Sequence, residues 1–218
     1  MLFRSNLDAA LIVMNASNTT NLSKVTTAAQ IVLTGSGARQ TGLVLYAGDA
    51  YLASPLTYDL ASLEALIFAV DDQTIPDGGA RPERALALAH DLFRHMKIYA
   101  GDIILIGDGT GIDPRTHEEV RLLAAEGHSL HTLFIPSNAP GDVQPSASHA
   151  AMTELARDGH GLAGDAAAAE KIAEAIARRR IEHVVKGSRQ ALEWQDLGRF
   201  IILLSVIPLF LFLRRSAA

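Results

Sequence analysis

Short apolar runs that alternate with longer helical segments constrain the fold of this chain more than any other feature. The clearest runs are AALIVM at residues 9–14 and DIILIGDG at residues 102–109. Each apolar stretch is brief and ends in small polar residues, which is typical of strands buried on both faces of a parallel sheet. Segments with helical periodicity lie between such runs. The alternation predicts an α/β domain with a mostly parallel sheet.

A hairpin is predicted to add one antiparallel strand to this sheet. The segments TGLVLYAG (41–48) and AYLASPLT (50–57) have strand character, and Gly48-Asp49 between them favours a tight turn. Residues 129–136 form a further predicted strand, and residues 159–165 are a candidate edge strand.

Capping residues and helix breakers mark the predicted helices. Ser23 is the expected N-cap of the first helix, Asp59 can cap the second, an amphipathic one, and Pro82 suits the first turn of the third. The predicted helices span residues 23–35, 58–70, 83–96, 116–127, 149–159 and 166–180.

Composition excludes several classes of function. The 218 residues are 49% hydrophobic and 20% charged, which is not the composition of a disordered chain. A net charge of −5 without a basic stripe argues against nucleic-acid binding. Since there are no cysteines, disulfides, thiolate zinc sites and cysteine nucleophiles are excluded.

The C-terminal run FIILLSVIPLFLFL, at residues 200–213, carries no charge. Fourteen helical residues rise only about 21 Å against a hydrocarbon core of about 30 Å, so length leaves a buried helix or a dimer seam as alternatives. Arg199, Arg214, Arg215 and the nearby Trp194 favour a membrane anchor. The predicted organisation is a domain at 1–180, a juxtamembrane linker at 181–199 and a transmembrane helix at 200–213.

Several superficial motifs lack the context that their chemistry needs. GSGARQTG (35–42) follows a predicted helix and opens a strand, the reverse of a phosphate-binding glycine loop. His90 and His95 are five residues apart, which misses the spacing of a helical metal pair. No G-x-S-x-G sequence marks a hydrolase nucleophile.

Two strand ends carry residues suited to a hard cation. Asn15, Ser17 and Thr19 alternate after the first strand, and Asp108 follows another strand. Oxygen donors at such spacing can point the same way, and Mg²⁺ prefers oxygen ligands. An ordinary turn and N-cap leading into the first helix would use the same residues. Both interpretations remain open at this point.

With these residues in view, the chain resembles von Willebrand factor A (VWA) domains, in particular the membrane-anchored Bat (aerotolerance) type. The resemblance runs from about residue 8 to residue 215 and is best over TGLVLYAGDAYLASPLTYDLASLEALI (41–67). Three further stretches support the resemblance: ALALAHDL (85–92), GDIILIGDG (101–109) and EWQDLGRFIILLSVIPLFLFLRR (193–215). The resemblance implies a doubly wound, mostly parallel sheet with one antiparallel edge strand, followed by a transmembrane helix.

The resemblance also implies a metal-ion-dependent adhesion site (MIDAS), with a D-x-S-x-S motif, a later threonine and a final aspartate. The matching positions here are Asn15, Ser17, Thr19, Ala80, Gly107 and Asp108. Asn15 replaces the first aspartate and Ala80 replaces the threonine ligand, while Gly107 stands where a threonine usually precedes the final aspartate. We therefore expect a degenerate site of low Mg²⁺ occupancy, with Asp108 as the main ligand and Ser17 and Thr19 as oxygen donors.

The function implied by the resemblance is a non-enzymatic, membrane-tethered protein-interaction module. Its expected partners are a MoxR-type AAA+ ATPase and other VWA membrane proteins, in an envelope complex linked to stress tolerance or protein assembly. The alternatives are Mg²⁺-dependent adhesion through a residual MIDAS and, less favoured, a phosphoryl or nucleotide enzyme that uses Asp108.

The expected location is the cell inner membrane, crossed once. Family analogy places the domain in the periplasm. If the first Met is the true start, the basic residues before the anchor favour a cytoplasmic domain.

Overall fold

A six-stranded sheet organises the part of the chain that the computed structural model describes, which is residues 9–17, 21–35, 37, 39–71, 73–137 and 145–178. The sheet order is β3-β2-β1-β4-β5-β6. All neighbouring strands are parallel except β2 and β3, which form the predicted antiparallel hairpin. The strands are β1 (Ala9–Asn15), β2 (Gln40–Tyr46), β3 (Ala50–Thr57), β4 (Gly101–Gly107), β5 (Ser129–Phe134) and β6 (His160–Asp165).

Helices cover both faces of the sheet, so the predicted α/β class and doubly wound architecture are confirmed. Helices α1, α2 and α6 contribute to one hydrophobic core, and α3, α4 and α5 contribute to the other. Their bounds are α1 (Leu22–Gly35), α2 (Leu60–Ala69), α3 (Pro82–Met96), α4 (Pro114–Ala125), α5 (Pro145–Asp158) and α6 (residues 169–178), the last preceded by a 3₁₀ turn (Ala166–Ala168).

The position of β1, covered by helices on both faces of the sheet, explains why its sequence is apolar without interruption. Ile12 and Met14 belong to the core under α1, whereas Leu11 and Val13 belong to the core under α3. Every residue of β1 and of β4 is buried. A strand covered on both faces has no solvent side, so the polar alternation of a half-exposed strand is absent.

Some helix starts agree with their capping signals and one does not. Asp59 caps α2 by accepting the Ser62 backbone N–H (3.1 Å), and Pro82 occupies the first turn of α3. The prediction that Ser23 caps α1 is wrong, because α1 begins at Leu22 and Ser23 lies within its first turn. The Asn21 carbonyl starts the helix instead, accepting the N–H groups of the third and fourth residues that follow it.

Two other helices begin earlier than predicted. Helix α4 starts at Pro114 rather than at residue 116, because Asp113 and Thr116 form a capping box in which each side chain accepts the other's backbone N–H. Helix α5 starts at Pro145 rather than at residue 149. Proline suits a first helical turn, where its missing N–H has no partner to lose.

Helix α2 is not the amphipathic helix expected from its sequence. Leu63 and Ile67 are buried against the sheet, but Leu66 and Phe68 point to solvent. The helix is therefore apolar on its outer face as well as on its inner one.

A buried polar cluster joins three strands at their amino ends. Arg39, just before β2, pairs with Asp102 of β4 (Nη1–Oδ2, 2.9 Å), and His131 of β5 reaches the other oxygen of Asp102 (3.3 Å). Burial alone would raise the pKa of Asp102, but the hydrogen bond from His131 and the charge of Arg39 outweigh it, so the pKa lies below its usual value. The backbone N–H of Leu162 donates to Nδ1 of His131 (3.1 Å).

The described residues all belong to one compact unit, Met1–Arg180. No helix in this described part is both long enough and apolar enough to span a bilayer. The predicted linker at 181–199 and transmembrane helix at 200–213 lie outside the described residues, so the domain boundaries stay a prediction.

Candidate functional site

The two polar strand ends singled out in the sequence meet at the carboxyl edge of the sheet. Asn15 is the last residue of β1, and Asp108 directly follows the neighbouring strand β4. The Asn15 side-chain amide donates to Asp108, with Nδ2 and Oδ1 3.4 Å apart. Both residues are buried. The parallel arrangement of β1 and β4 brings them together from 93 positions apart in sequence.

Ser17 fixes the orientation of the Asn15 amide. The Ser17 backbone N–H (2.9 Å) and hydroxyl (2.6 Å) both donate to Asn15 Oδ1. A backbone N–H can only donate, so the atom that faces it must be the amide oxygen. The amide nitrogen is thereby directed at the Asp108 carboxylate.

Thr110 completes the arrangement from the loop after β4. Its backbone N–H (3.1 Å) and its hydroxyl (2.7 Å) both donate to Asp108 Oδ1. This is an Asx turn, in which an aspartate accepts from the residue two positions on. The D-G-T sequence could have indicated it, although sequence reasoning did not select Thr110. We call Asn15, Ser17, Asp108 and Thr110 the strand-end cluster.

Tyr46 and Gly107 pack beside this cluster, and of the two only Tyr46 was missed from the sequence. Tyr46 ends β2 and is 2% exposed. Burial, with a smaller contribution from the negative charge of Asp108, raises the pKa of Tyr46 far above its usual value, so the phenol is neutral. A Cβ built at Gly107 would lie 2.7 Å from the Tyr46 hydroxyl and 3.2 Å from Asn15 Cβ. A threonine at position 107 therefore has no room unless Tyr46 moves.

Ala80 lies against the same loop, just before α3. The next residue, Arg81, donates its backbone N–H to Ala47 O (2.8 Å), which ties this segment to the end of β2. Gly111 has a φ of +76°, and a Cβ built there would lie 1.9 Å from the Ala80 carbonyl oxygen. The close backbone approach brings the two loops together, but the Ala80 methyl supplies no oxygen ligand.

The residues present do not suit a divalent cation. Mg²⁺ requires oxygen lone pairs in octahedral geometry, usually from one or two carboxylates and retained waters. Asn15 instead presents amide hydrogens to the only carboxylate of the strand-end cluster, and Asp108 Oδ1 is already hydrogen-bonded. Among the described residues, no three His, Cys, Asp or Glu side chains are grouped for metal binding. Thr19 lies outside the described residues, and the metal role of the four predicted ligands stays a prediction.

The two histidines near the strand starts have structural partners. His128 Nδ1 accepts the Gly101 backbone N–H (3.0 Å), and its ring lies against Phe93 with centroids 4.8 Å apart. Burial lowers the pKa of His128, which favours the neutral ring that this hydrogen bond requires. These contacts of His128, and those of His131 described above, are typical of histidines with a structural role in the core.

The comparisons with known proteins agree with the geometry. Residues 8–110 match the family model of the von Willebrand factor type A domain. No curated protein sequence is significantly similar to this chain.

Solved structures share the fold at low sequence identity. The conserved hypothetical protein BatB from Bacteroides thetaiotaomicron has a TM-score of 0.67 and 20% identity over 78% of this chain and 97% of its own. An aerotolerance-related membrane protein from Bacteroides fragilis has a TM-score of 0.63 and 19% identity over 78% and 96%. The von Willebrand domain of the pilus tip protein Mfa5 from Porphyromonas gingivalis has a TM-score of 0.61 and 12% identity over 81% and 95%.

The match to the family model includes β1, the hairpin and β4, and it ends just after Asp108. The solved structures extend the likeness to most of the described chain. The predicted resemblance is confirmed: residues 8–110 match the von Willebrand factor type A domain, and the described part of the chain has the fold of the Bat-type proteins.

Proposed function

We propose that this protein is a membrane-tethered interaction module whose strand-end cluster is held together without a metal ion. A VWA domain and neighbours that include BatB and a pilus tip domain support protein interaction as the general function. More specifically, we propose that the protein works in an envelope complex with a MoxR-type AAA+ ATPase and other VWA membrane proteins, in stress tolerance or protein assembly. The apolar segment at residues 200–213 would be its anchor in the inner membrane.

The observation that carries the metal-free proposal is the hydrogen bond from Asn15 to Asp108. In a metal-dependent site a cation would offset the charge of the carboxylates at this edge. Here the amide dipole of Asn15 and the two donors of Thr110 stabilise the single charge of Asp108. Two loops can then be held in one arrangement without an added ion, and partners would be recognised by the loop surface itself.

Purification of the full chain from its native membranes tests this function. The tagged protein is captured in nucleotide-free buffer, with and without millimolar EDTA. We expect a MoxR-type ATPase to co-purify equally under both conditions. Absence of any ATPase or envelope protein contradicts the proposed partnership, and capture that EDTA abolishes contradicts the metal-free mode.

We propose no catalytic role for Asp108. Phosphoryl chemistry would require a general base and a second charge-stabilising group around it, and the donors on Oδ1 come from an amide, a backbone N–H and a hydroxyl. Phosphatase or nucleotidase turnover that is present in the full chain and lost in Asp108→Ala would refute this.

A further inference from the structure

The outer face of α2 is apolar although it points to solvent. Only Leu63 and Ile67 of this helix are fully buried. On the outer side Phe68 is 82% exposed and Leu66 is 42% exposed, and the exposed surface between them is formed by three alanines and Ser62. Large apolar side chains on the outer side of a surface helix are unusual, because that side normally carries polar residues. Contiguous apolar surface of this kind typically marks an interaction site.

The charges on α2 and on the segments that precede and follow it in the chain all have one sign. From Gln40 to Ala80 the chain has six carboxylates and no Lys, Arg or His. Asp59 at the start of α2, Glu64 within it and Asp71 just after it are all exposed. An occupant that complements this surface has apolar side chains bordered by positive charge.

The strand next to this helix does not offer an alternative docking edge. β3 is the outermost strand, but its pairing with β2 is interrupted twice by register shifts, and Pro55 lies within it. Bulges and proline on an edge strand discourage the addition of another strand. Of these two neighbouring surfaces, the helix face is the one better suited to a partner.

We propose that the outer face of α2 binds an apolar segment of a partner protein that is bordered by lysine or arginine. The inference rests on the proposed interaction function but does not depend on the identity of the ATPase. A second copy of the same face would place carboxylates against carboxylates, and an anionic membrane would repel them as well. Complementary charge favours a basic partner over both.

Selection from a phage-displayed library of random peptides tests the proposal. The target is the full chain in lipid nanodiscs, with empty nanodiscs used to remove non-specific binders. We expect the enriched peptides to combine apolar residues with Lys or Arg. Phe68→Ser should weaken their binding at least about ten-fold, and Glu64→Lys should weaken it about three-fold or more.

Leu122→Ser is the matched control, because Leu122 is an exposed apolar residue (47%) on α4, which packs on the other face of the sheet. This variant should bind the peptides like the wild type, and circular dichroism should show all three variants folded. Acidic peptides, peptides indifferent to Phe68→Ser, or no enriched peptide overturn the proposal. Self-association of the chain, or its binding to empty nanodiscs, also overturns the proposal if the Phe68→Ser variant no longer shows it.

The outcomes separate this inference from the proposed function. Loss of ATPase capture with intact α2-dependent peptide binding counts against the ATPase partnership alone. Intact capture with peptides that ignore α2 counts against the docking surface alone.

Discussion

Replacing Asn15 by aspartate tests the strand-end cluster most severely. Asn15→Asp keeps the size of the side chain and the acceptor for Ser17, but it turns the atom that faces Asp108 from a donor into a second carboxylate oxygen. Two unit charges 3.4 Å apart repel by about 5 kcal/mol at an effective dielectric constant of about 20. The two carboxylates avoid this repulsion if one of them binds a proton. At pH 7, protonating a carboxyl group of ordinary pKa costs about 4 kcal/mol. Protonation is the cheaper route and sets the expected loss of stability at about 4 kcal/mol.

The loss of stability in Asn15→Asp depends on pH because it is set by the binding of one proton. The shared proton raises the pKa of one carboxyl in the folded state above its unfolded value. The destabilisation is therefore greatest at neutral pH and shrinks as pH falls, by about 1.4 kcal/mol per pH unit, to about 1.5 kcal/mol at pH 5. Urea unfolding of the full chain in detergent, followed by circular dichroism at several pH values, measures it.

The control for this prediction exchanges the two residues. In Asn15→Asp with Asp108→Asn, the carboxylate lies on β1 and the amide after β4, so the pair again carries a single charge and needs no extra proton at pH 7. Ser17 can donate to the carboxylate as before, but the atom at position 108 that faces residue 15 also accepts from Thr110, so an amide there cannot serve both neighbours. We therefore expect the pH dependence to disappear and part of the lost stability to return. If the single variant is as stable as the wild type at pH 7, or if the exchange restores nothing, charge repulsion between these two positions is excluded.

Three further predictions concern the surroundings of the cluster and the buried groups at the strand starts. Gly107→Ala should lower the free energy of unfolding, measured by urea titration, by about 1–3 kcal/mol because the added Cβ meets the Tyr46 hydroxyl. Adding Tyr46→Phe to this variant should recover part of the loss. Equal stability of Gly107→Ala and wild type would contradict the packing. Asp102→Asn should lower the free energy of unfolding by about 3 kcal/mol or more, because it leaves Arg39 buried beside a neutral amide. In the wild type, the stability due to the depressed pKa of Asp102 should be present above about pH 4 and lost below it in an acid titration. An acid-unfolding midpoint that is the same in the variant would count against this. Since burial lowers the pKa of His128, its contribution to stability is complete above about pH 6.5 and is lost as pH falls below that value. His128→Gln should therefore flatten the dependence of stability on pH on the acid side of pH 6.5, and an unaltered slope would show that other groups cause it.

The parts of the fold that sequence predicts are those set by local patterns. The apolar residues of β1 and β4 indicate strands covered on both faces, and the turn at Gly48-Asp49 indicates the hairpin. Asp59 and Pro82 mark helix starts through contacts made within one turn. Each of these signals depends on neighbours that are close in the chain.

What sequence did not reveal depends on distant contacts. The start of α1 is set at Asn21, whose side chain donates to the Pro136 carbonyl 115 positions away. The Arg39–Asp102 pair spans 63 positions, and the fit of Gly107 depends on Tyr46 from another strand. The outward apolar face of α2 is visible only once the position of the sheet is known.

The candidate site was half predictable. Sequence selected Asn15, Ser17 and Asp108 and noted that Asn15 removes a carboxylate. It did not indicate that the Asn15 amide would point at Asp108, because that orientation follows from the Ser17 donors. Nor did it select Thr110, whose two donors also stabilise the charge of Asp108.

Thermal unfolding of the full chain with Mg²⁺ or Mn²⁺, compared with EDTA, measures whether the strand-end cluster binds a metal ion. An ion bound only by the folded state at one hundred times its dissociation constant stabilises by about 2.7 kcal/mol, which raises the melting temperature of a domain of this size by roughly 5–10 °C. We predict the same melting temperature in millimolar metal and in EDTA, because the Asn15 amide already holds Asp108. A saturable rise of several degrees in the wild type, lost in Asp108→Ala, would show instead that the folded domain binds a metal ion through Asp108.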